Sequence, residues 1–360
     1  MEITLKFNQN IGTEGFRITD SGNGGIVVIG NDELGLLYGL GKLLRTSFYS
    51  EDGFTLGSWR GESIPEKPIR GIYFASHFGN YYHVAPIKEV KQYVEELGLW
   101  GINSILIWYD MHHFKGFNSP EAIVFRERID EIFRAAKDIG MQVGLINVAN
   151  EGYDNSPEKL RVDGNVHRGG FYQSTICPEK SYGGQSGMDY ILKTMEEEFD
   201  WIASFEPKHM AIWPYDQGGC GCEKCSPWGS NGFMRTGSKI AALARKKLPD
   251  VEIIASTWFM NKDEREGVSE YLKEKDSWAD IIIVGNSKIN DLPLIGFPEI
   301  SMSGMFPWGG FGAHIMAARL ERGWNGIKDV SSGGFPYSEG IYEDISKIVY
   351  SHLLCVPPYR

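Results

Sequence analysis

The sequence predicts an α/β protein, a (β/α)8 TIM barrel preceded by a small α/β domain. Three observations lead to this prediction. The 360 residues leave room for a barrel of about 250 residues and a smaller domain. After residue 68, short apolar runs alternate with amphipathic helical patterns, which is typical of a parallel sheet with helical crossovers. Before it, residues 1–67 show short alternating runs, so the predicted domains are residues 1–67 and 68–360.

The first domain is predicted to be a small sheet with one helix packed on it. Turn residues separate three short alternating runs, Glu2–Phe7, Phe16–Thr19 and Gly25–Ile29. Asn31 and Asp32 then provide a helix-start signal ahead of a leucine-rich amphipathic segment. The stretch Gly57–Pro68, rich in Gly, Ser and Pro, is the predicted linker to the barrel.

Eight apolar runs after Pro68 are the predicted barrel strands: Arg70–Ala75, Ser104–Tyr109, Gln142–Val148, His209–Pro214, Glu252–Trp258, Ile281–Gly285, Glu299–Ser303 and Val330–Gly334. Helical patterns lie between them, and the pattern Tyr342–Leu354 predicts the helix of the eighth unit. The sixth crossover, Asn286–Pro298, is too short and too rich in proline for a full helix. An open, doubly wound sheet is the alternative architecture, because a strand count does not prove closure.

Composition and charge exclude several classes of protein. The 47 acidic and 36 basic side chains give a net charge of -11, which repels nucleic acid. No apolar run reaches the roughly 18 residues that cross a bilayer. The segment Met1–Phe7 alternates polar and apolar residues instead of forming a signal-peptide core. We therefore expect a cytoplasmic protein without nucleic-acid or membrane partners, unless a secretion leader has been removed; the oligomeric state is left open.

Polar and aromatic side chains follow the predicted strands, where active sites of such barrels lie. Amides and carboxylates bind sugar hydroxyls, and large aromatic rings stack on the C–H face of a pyranose, so the predicted ligand is a carbohydrate. A role as barrel core is the alternative for each large aromatic residue. The residues predicted to contact the sugar are His77, Asp110, His112, Asn147, Glu151, Trp213, Tyr215, Gln217, Trp258, Asn286, Trp308 and Tyr337.

Glycoside hydrolysis usually requires two carboxyl groups, and Asp216 and Glu339 are the predicted catalytic pair. Each has an alternative role. Asp216 follows a strand at a glycine-rich turn that it could cap, and Glu339 precedes a helix whose N-terminus it could favour. Glu151, in a long loop, is a further candidate carboxyl group, with a plain surface position as the alternative, and Asp110 is a fourth. Adjacent His112 and His113 at a strand end are expected to point to different sides, which disfavours paired metal ligation.

The cysteines are arranged for a metal rather than for a disulfide framework. The chain has five cysteines, and Cys220, Cys222 and Cys225 form a C-x-C-x-x-C run with glycine beside them. Tetrahedral zinc takes four such ligands, and Cys177, in the loop after the preceding predicted strand, is the candidate fourth. A closed four-thiolate site would be structural. Reduced thiols without metal, or a disulfide, are the alternatives.

Three segments resemble a family of sugar-cleaving enzymes. The run Asn31–Leu40, with Leu43, Leu44 and Arg45, resembles the helix of the small α/β domain that precedes the barrel in hexosaminidases, O-GlcNAcases and α-glucuronidases. Ile69–Tyr73 is similar to the first strand of their barrels. Trp213–Cys225 looks like a cysteine-containing segment of less studied, related barrels in carbohydrate-degrading bacteria. The resemblance implies a glycosidase acting on a hexosaminide or a uronic-acid glycoside.

The sequence departs from the hexosaminidase pattern at one position. That pattern implies an aspartate that orients the acetamido group and a glutamate that acts as the general acid, one after the other behind the fourth strand. Here the two residues are Asp216 and Gln217, and glutamine cannot donate a proton in this way. Either Glu339 supplies the acid, or the chain binds sugars without cleaving them. A barrel enzyme with a metal on histidine and aspartate ligands is a third hypothesis.

Overall fold

The structure is a computed structural model that describes residues 2–22, 24–163, 174–214, 219–274, 277–283, 292–300, 315 and 317–355. The strands are β1 (Ile3–Phe7), β2 (Phe16–Asp20), β3 (Ile26–Gly30), β4 (Phe48–Ser50), β5 (Gly53–Thr55), β6 (Gly61–Ser63), β7 (Ile69–Phe74), β8 (Ser104–Trp108), β9 (Gln142–Val148), β10 (Ser181–Tyr182), β11 (Gln185–Ser186), β12 (His209–Trp213), β13 (Glu252–Ser256), β14 (Ile281–Ile283), β15 (Leu294–Gly296), β16 (Ser331–Gly334) and β17 (Tyr337–Ser338). The α-helices are α1 (Glu33–Arg45), α2 (Tyr81–Val84), α3 (Ile87–Leu99), α4 (Pro120–Asp138), α5 (Gly187–Ile202), α6 (Met234–Lys247), α7 (Lys262–Glu274), α8 (Ala317–Asn325) and α9 (Asp344–Cys355).

The N-terminal sheet has the strand order β1-β3-β2-β6, with helix α1 packed on it. The predicted helix start is confirmed, because the Asp32 side chain accepts a 2.8 Å hydrogen bond from the Gly35 N–H and caps α1. The packed core consists of Phe16, Ile18, Ile26, Val28, Tyr38 and Leu43. The predicted linker Gly57–Pro68 is not all linker, because β6 lies in it and pairs antiparallel with β2.

The barrel sheet has the order β16-β15-β14-β13-β12-β9-β8-β7-β17, and β16 also pairs with β7. This pairing, which sets Gly333 opposite Ile69 and Gly334 opposite Arg70, closes eight parallel strands into a barrel. The predicted (β/α)8 barrel is confirmed, and the open doubly wound alternative is wrong. Parallel strands are covered by helices and read as continuous apolar runs, which is why these strands were visible in the sequence.

The seventh predicted strand, Glu299–Ser303, is wrong. The strand after β14 is β15, which lies inside the predicted sixth crossover, while Glu299 forms only an isolated bridge to Tyr337. Residues 301–303 lie outside the described part of the chain. The prolines around β15 suggested a loop, but they flank the strand, and the Pro293 carbonyl accepts a 3.0 Å hydrogen bond from the Ile282 N–H. A proline can therefore stand beside a short buried strand without breaking its pairing.

The chain divides into two compact units, and the domain boundary between residues 67 and 68 stays a prediction. The first comprises Met1–Ile105, Glu131–Gln142 and Phe297–Arg360, and the second comprises Leu106–Asp130 and Val143–Gly296. In the second unit, β9, β12 and β13 are parallel neighbours, with Trp213 opposite Val148 and Ile212 opposite Asn147. None of the helices in the described residues combines the length and the apolar character that crossing a bilayer requires.

Candidate functional site

The carboxyl ends of the strands carry most of the predicted sugar-contacting residues. In the first unit, His77 follows β7 and Tyr337 opens β17. In the second unit, the predicted residues end or follow β8, β9, β12 and β13: Asp110, His112, Asn147, Glu151, Trp213 and Trp258. The predictions for Tyr215, Asp216, Gln217, Asn286 and Trp308 fall outside the described residues.

Glu151 is the centre of a buried polar cluster in the second unit. Its carboxylate accepts a 3.1 Å hydrogen bond from the His112 backbone N–H and a 3.3 Å hydrogen bond from the Trp108 indole N–H, and it also pairs with Nδ1 of the His112 ring. Only 1% of Glu151 is exposed, so the alternative of a plain surface residue is wrong. These contacts satisfy both oxygens of the buried carboxyl group, and they fix the orientation of both rings.

Asp110 and His113 form a second carboxylate–imidazole pair. Nδ1 of His113 lies 2.5 Å from Oδ2 of Asp110, and this hydrogen bond raises the pKa of the exposed His113. The two neighbouring histidine rings do not diverge as expected, and their centroids are 4.0 Å apart. The reason is that the chain leaves β8 through a 3-10 turn, Met111–His113, instead of continuing as a strand.

The possible ligand atoms of Asp110, His112 and His113 lie within 4.8 Å of one another. In both histidines, however, Nδ1 contacts a carboxylate. This is the arrangement in which a carboxylate fixes the tautomer and orientation of an imidazole ring. The carboxylates of Glu151 and Asp110 are therefore suited to holding the two imidazole rings in place at the end of β8.

Asn147 leads to a residue that the sequence reasoning missed. Its side-chain amide N–H donates to the carboxyl group of Glu198 on α5, and both residues are fully buried. Burial raises the pKa of Glu198 well above its ordinary value, and the Glu151 carboxylate adds to the rise. Helical spacing could have revealed it, because Glu198 shares one face of α5 with Ile191, Met195 and Ile202.

Large aromatic rings follow two neighbouring strands of the second unit. The Trp213 and Trp258 rings, at the ends of β12 and β13, have centroids 5.9 Å apart. Phe259 packs edge-on against Trp258 with centroids 5.2 Å apart. Trp213 is buried, whereas 36% of Trp258 and 57% of Phe259 are exposed. Trp258 is therefore not a purely buried core residue.

In the first unit, Glu339 is held by a tyrosine. The Tyr337 hydroxyl donates a 3.1 Å hydrogen bond to Oε1 of Glu339, and Nε2 of His77 lies 3.4 Å from the same hydroxyl oxygen. Burial raises the pKa of Tyr337, and the carboxylates of Glu339 and Glu299 raise it further. Tyr337 therefore stays protonated and acts as a hydrogen-bond donor.

The structure assigns the helix-start role to Glu343 rather than to Glu339. Glu343 accepts 2.8 Å hydrogen bonds from the Glu339 backbone N–H and the Ser338 hydroxyl, and a 3.3 Å bond from the Gly340 N–H. The buried Lys347 lies 3.4 Å from the same carboxylate. Sequence reasoning missed this buried pair, although its i, i+4 spacing on one helix is a usable signal. The hydrogen bonds to Glu343 fix the backbone at Glu339 and Gly340.

The cysteine cluster is assembled in the second unit as the sequence predicts. The sulfur atoms of Cys177, Cys220, Cys222 and Cys225 all lie within 4.8 Å of one another. Cys177, Cys220 and Cys225 are buried, and Cys222 is partly exposed. All four cysteines are reduced in the structure, as is Cys355 on α9. In the part of the chain that the structure describes, these four thiols are the group best suited to hold a soft metal ion.

Comparisons with known proteins address the fold. No model of a known protein family matches the chain, and no curated protein matches it. The solved structures that it resembles include CpGH89 from Clostridium perfringens, in complex with its substrate GlcNAc-α-1,4-galactose, at a TM-score of 0.68 and 12% identity. That match covers 98% of this chain but 46% of CpGH89, so the chain spans about half the length of that protein.

Two further solved structures are hexosaminidases. The β-N-acetylhexosaminidase of Bacteroides fragilis matches at a TM-score of 0.68 and 14% identity, over 99% of this chain and 80% of the other. A mutant β-hexosaminidase of Streptomyces plicatus, in complex with its product GlcNAc, matches at 0.65 and 14%, over 99% and 79%. At identities of 12–14%, these likenesses establish a shared fold, and they confirm the predicted structural resemblance to hexosaminidases.

Proposed function

We propose that the chain is a glycosidase that cleaves a hexosaminide or a uronic-acid glycoside. The observation that carries the proposal is the pair of indole rings, Trp213 and Trp258, at the ends of the neighbouring strands β12 and β13. Trp213 is buried and supports the ring of Trp258, of which 36% is exposed. A partly exposed indole at a barrel strand end is suited to stack on the C–H face of a pyranose. Phe259 extends this aromatic surface.

Preorganised polar groups at the ends of β8 and β9 support the proposal. The buried Glu151 holds the rings of Trp108 and His112 in fixed orientations. A ligand that binds to such rings pays little conformational entropy, because the side chains are already ordered. In this arrangement Glu151 is a positioning residue for Trp108 and His112, since its oxygens are already engaged by three donors.

Glu339 is the carboxyl group that we propose as the general acid. Its backbone is fixed on both sides, because its N–H donates to Glu343 and its carbonyl accepts a 3.1 Å hydrogen bond from the Tyr81 N–H. The protonated Tyr337 hydroxyl orients its carboxylate. A fixed backbone and one defined donor give the Glu339 carboxyl group a fixed position, which a general acid needs in addition to hydrogen-bond reach to the substrate. Asp216, the sequence-predicted second carboxyl group, remains a prediction.

The solved structures support the substrate class. CpGH89 is described in complex with GlcNAc-α-1,4-galactose, and the Streptomyces plicatus enzyme in complex with GlcNAc. An N-acetylated amino sugar is therefore the first candidate for the glycone. The uronic-acid alternative rests on the sequence resemblance to α-glucuronidases.

Assays with chromogenic glycosides test the proposal. We expect hydrolysis of at least one N-acetylhexosaminide or glucuronide by the intact protein. Glu339→Gln should reduce turnover by about 10²-fold or more, because the amide cannot transfer the proton, and Asp216→Asn should do the same if Asp216 is the second carboxyl group. Glu321→Gln, which changes an exposed carboxylate on α8, is the matched control and should leave turnover unchanged.

A carbohydrate-binding barrel without hydrolytic activity is the second candidate, and Gln217 favours it because it stands where the hexosaminidase pattern has its acid. This candidate predicts sugar binding without cleavage of any glycoside, and an affinity that Glu339→Gln does not alter. Turnover by Glu339→Gln within a few-fold of the parent would instead show that another residue is the acid.

A further inference from the structure

The four clustered cysteines have the geometry of a metal site that no step of the proposed hydrolysis requires. The Cys177 and Cys222 sulfurs are 3.9 Å apart, and all four sulfurs are within 4.8 Å of one another. Four thiolates at about 2.3 Å from one tetrahedral zinc ion are about 3.8 Å apart. A disulfide requires a sulfur–sulfur distance of about 2 Å, so this arrangement matches shared coordination better than a covalent pair.

Local backbone structure brings the sulfurs together. The N–H groups of Cys225 and Ser226 donate to the Cys222 carbonyl at 3.0 and 2.9 Å, and this turn returns Cys225 towards Cys222. Gly219, beside Cys220, packs against Trp228 so tightly that a Cβ would lie 2.0 Å from the indole ring. The cysteine loop can therefore lie against the indole only because glycine occupies this position.

Cys177 reaches the same point from a different segment. The Cys177 N–H donates to the Leu160 carbonyl at 2.9 Å. A Cβ added at Gly187 would lie 1.9 Å from the Cys177 carbonyl oxygen. An ion pair joins the segment of Cys177 to helix α6, which follows the cysteine loop, because the Glu179 carboxylate lies 2.7 Å from the Arg235 guanidinium. The backbone of Cys177 is therefore held in place by contacts that do not involve the other cysteines.

We propose that Cys177, Cys220, Cys222 and Cys225 bind one zinc ion in a closed, structural site. Four protein thiolates complete a tetrahedron and leave no position for a substrate or a water molecule. Thiolates are soft ligands, which excludes magnesium and calcium as the natural occupant. Of the four cysteines, only Cys222 is partly exposed, so the ion is largely shielded from solvent.

The ion would connect the chain after β9 to the chain after β12. The Ile176 N–H donates to the Asn150 carbonyl at 2.8 Å, and the Asn150 side chain donates back to the Ile176 carbonyl at 2.8 Å. Asn150 directly precedes Glu151, which orients Trp108 and His112. Zinc at Cys177 therefore stabilises the segment that positions these two rings.

Metal analysis of the intact protein tests the site independently of glycosidase activity. We expect one zinc ion per chain after purification, or after reduction and titration with zinc sulfate. Replacement by cobalt(II) should give the intense visible absorption of tetrahedral thiolate coordination. Cys222→Ser removes the most exposed of the four ligands and should lose zinc to a chelator that does not strip the parent. Cys355→Ser is the matched control and should retain one zinc ion per chain.

Three results would overturn the proposal. The first is a folded parent protein that contains no zinc and takes up none when titrated. The second is a mass that shows a disulfide within the cluster in the purified protein. The third is a cobalt(II) spectrum that Cys222→Ser leaves unchanged. Because metal content is measured on the parent, a variant that fails to fold does not decide the question, and an inactive parent that binds zinc contradicts only the proposed function.

Discussion

At the scale of single residues, the sequence did not predict which carboxyl groups are buried. Glu151 follows a strand in a polar loop, and its composition gives no sign that Trp108 and His112 cover it. These contacts join residues that are about 40 positions apart in the chain, and they form only when β8 and β9 are neighbours. Glu343 was missed for a related reason. Glu339 lies closer to the strand end, so the helix-start role was considered for Glu339 and not for Glu343.

The buried Glu198 gives a prediction at this scale. Its pKa in the folded protein is raised above the ordinary value of 4.5, so the folded state holds a proton that the unfolded state releases above that pH. The free energy of unfolding should therefore fall by about 1.4 kcal/mol for each pH unit above 4.5, until the folded-state pKa is reached. Glu198→Gln should remove this slope and be more stable than the parent at neutral pH.

Urea unfolding at a series of pH values measures the Glu198 effect. The neighbouring, partly exposed Glu197 provides the matched control, and Glu197→Gln should keep the slope of the parent. If Glu198→Gln and the parent show the same pH dependence, Glu198 is ionised in the folded protein and its proposed protonation is wrong.

At the scale of elements, a buried arginine connects the first strand of the barrel to the loop and the helix that flank the N-terminal sheet. Arg70 on β7 pairs with the Glu14 carboxylate, and its Nε donates to the Gly101 carbonyl at 2.9 Å. Its guanidinium also lies over the Tyr38 ring of α1, 5.3 Å from the ring centroid. Side chains from the segment before β2 and from α1 therefore meet at the Arg70 guanidinium of β7.

Arg70→Leu should lower the free energy of unfolding by about 3–5 kcal/mol, because it leaves the Glu14 charge without its cation. Urea unfolding monitored by circular dichroism measures the loss. Arg17→Leu, which breaks the exposed pair with Glu62, is the control and should cost less than about 1 kcal/mol. Equal losses in the two variants would contradict the structural role given to Arg70.

The prediction of elements succeeded where a strand is long and buried on both sides. Strands β9 and β12 match their predicted runs within one residue, because continuous apolar runs are typical of parallel barrel strands. Strand β15 was placed wrongly, since three residues between prolines carry too weak a pattern to separate a strand from a loop. Strand β6 was missed in the linker for the same reason.

At the scale of the whole molecule, the sequence predicted the closed barrel and the small preceding sheet but only part of the candidate site. Alternation of buried strands and helices is a repeated signal, and errors in one element leave the architecture intact. The site depends on side chains from strands far apart in the chain, and their contacts have no local pattern. Asp216, in particular, cannot be ranked against Glu339 by spacing alone.

The central claim is that the partly exposed Trp258 ring, beside the buried Trp213 at the ends of β13 and β12, binds a saccharide. A crystal structure of the protein soaked with N-acetylglucosamine, and a second with glucuronic acid, tests it most directly. We predict that one of the sugars packs its ring against Trp258, and that Trp258→Ala abolishes this binding. A sugar bound elsewhere, with the Trp258 face still exposed to solvent, would contradict the claim.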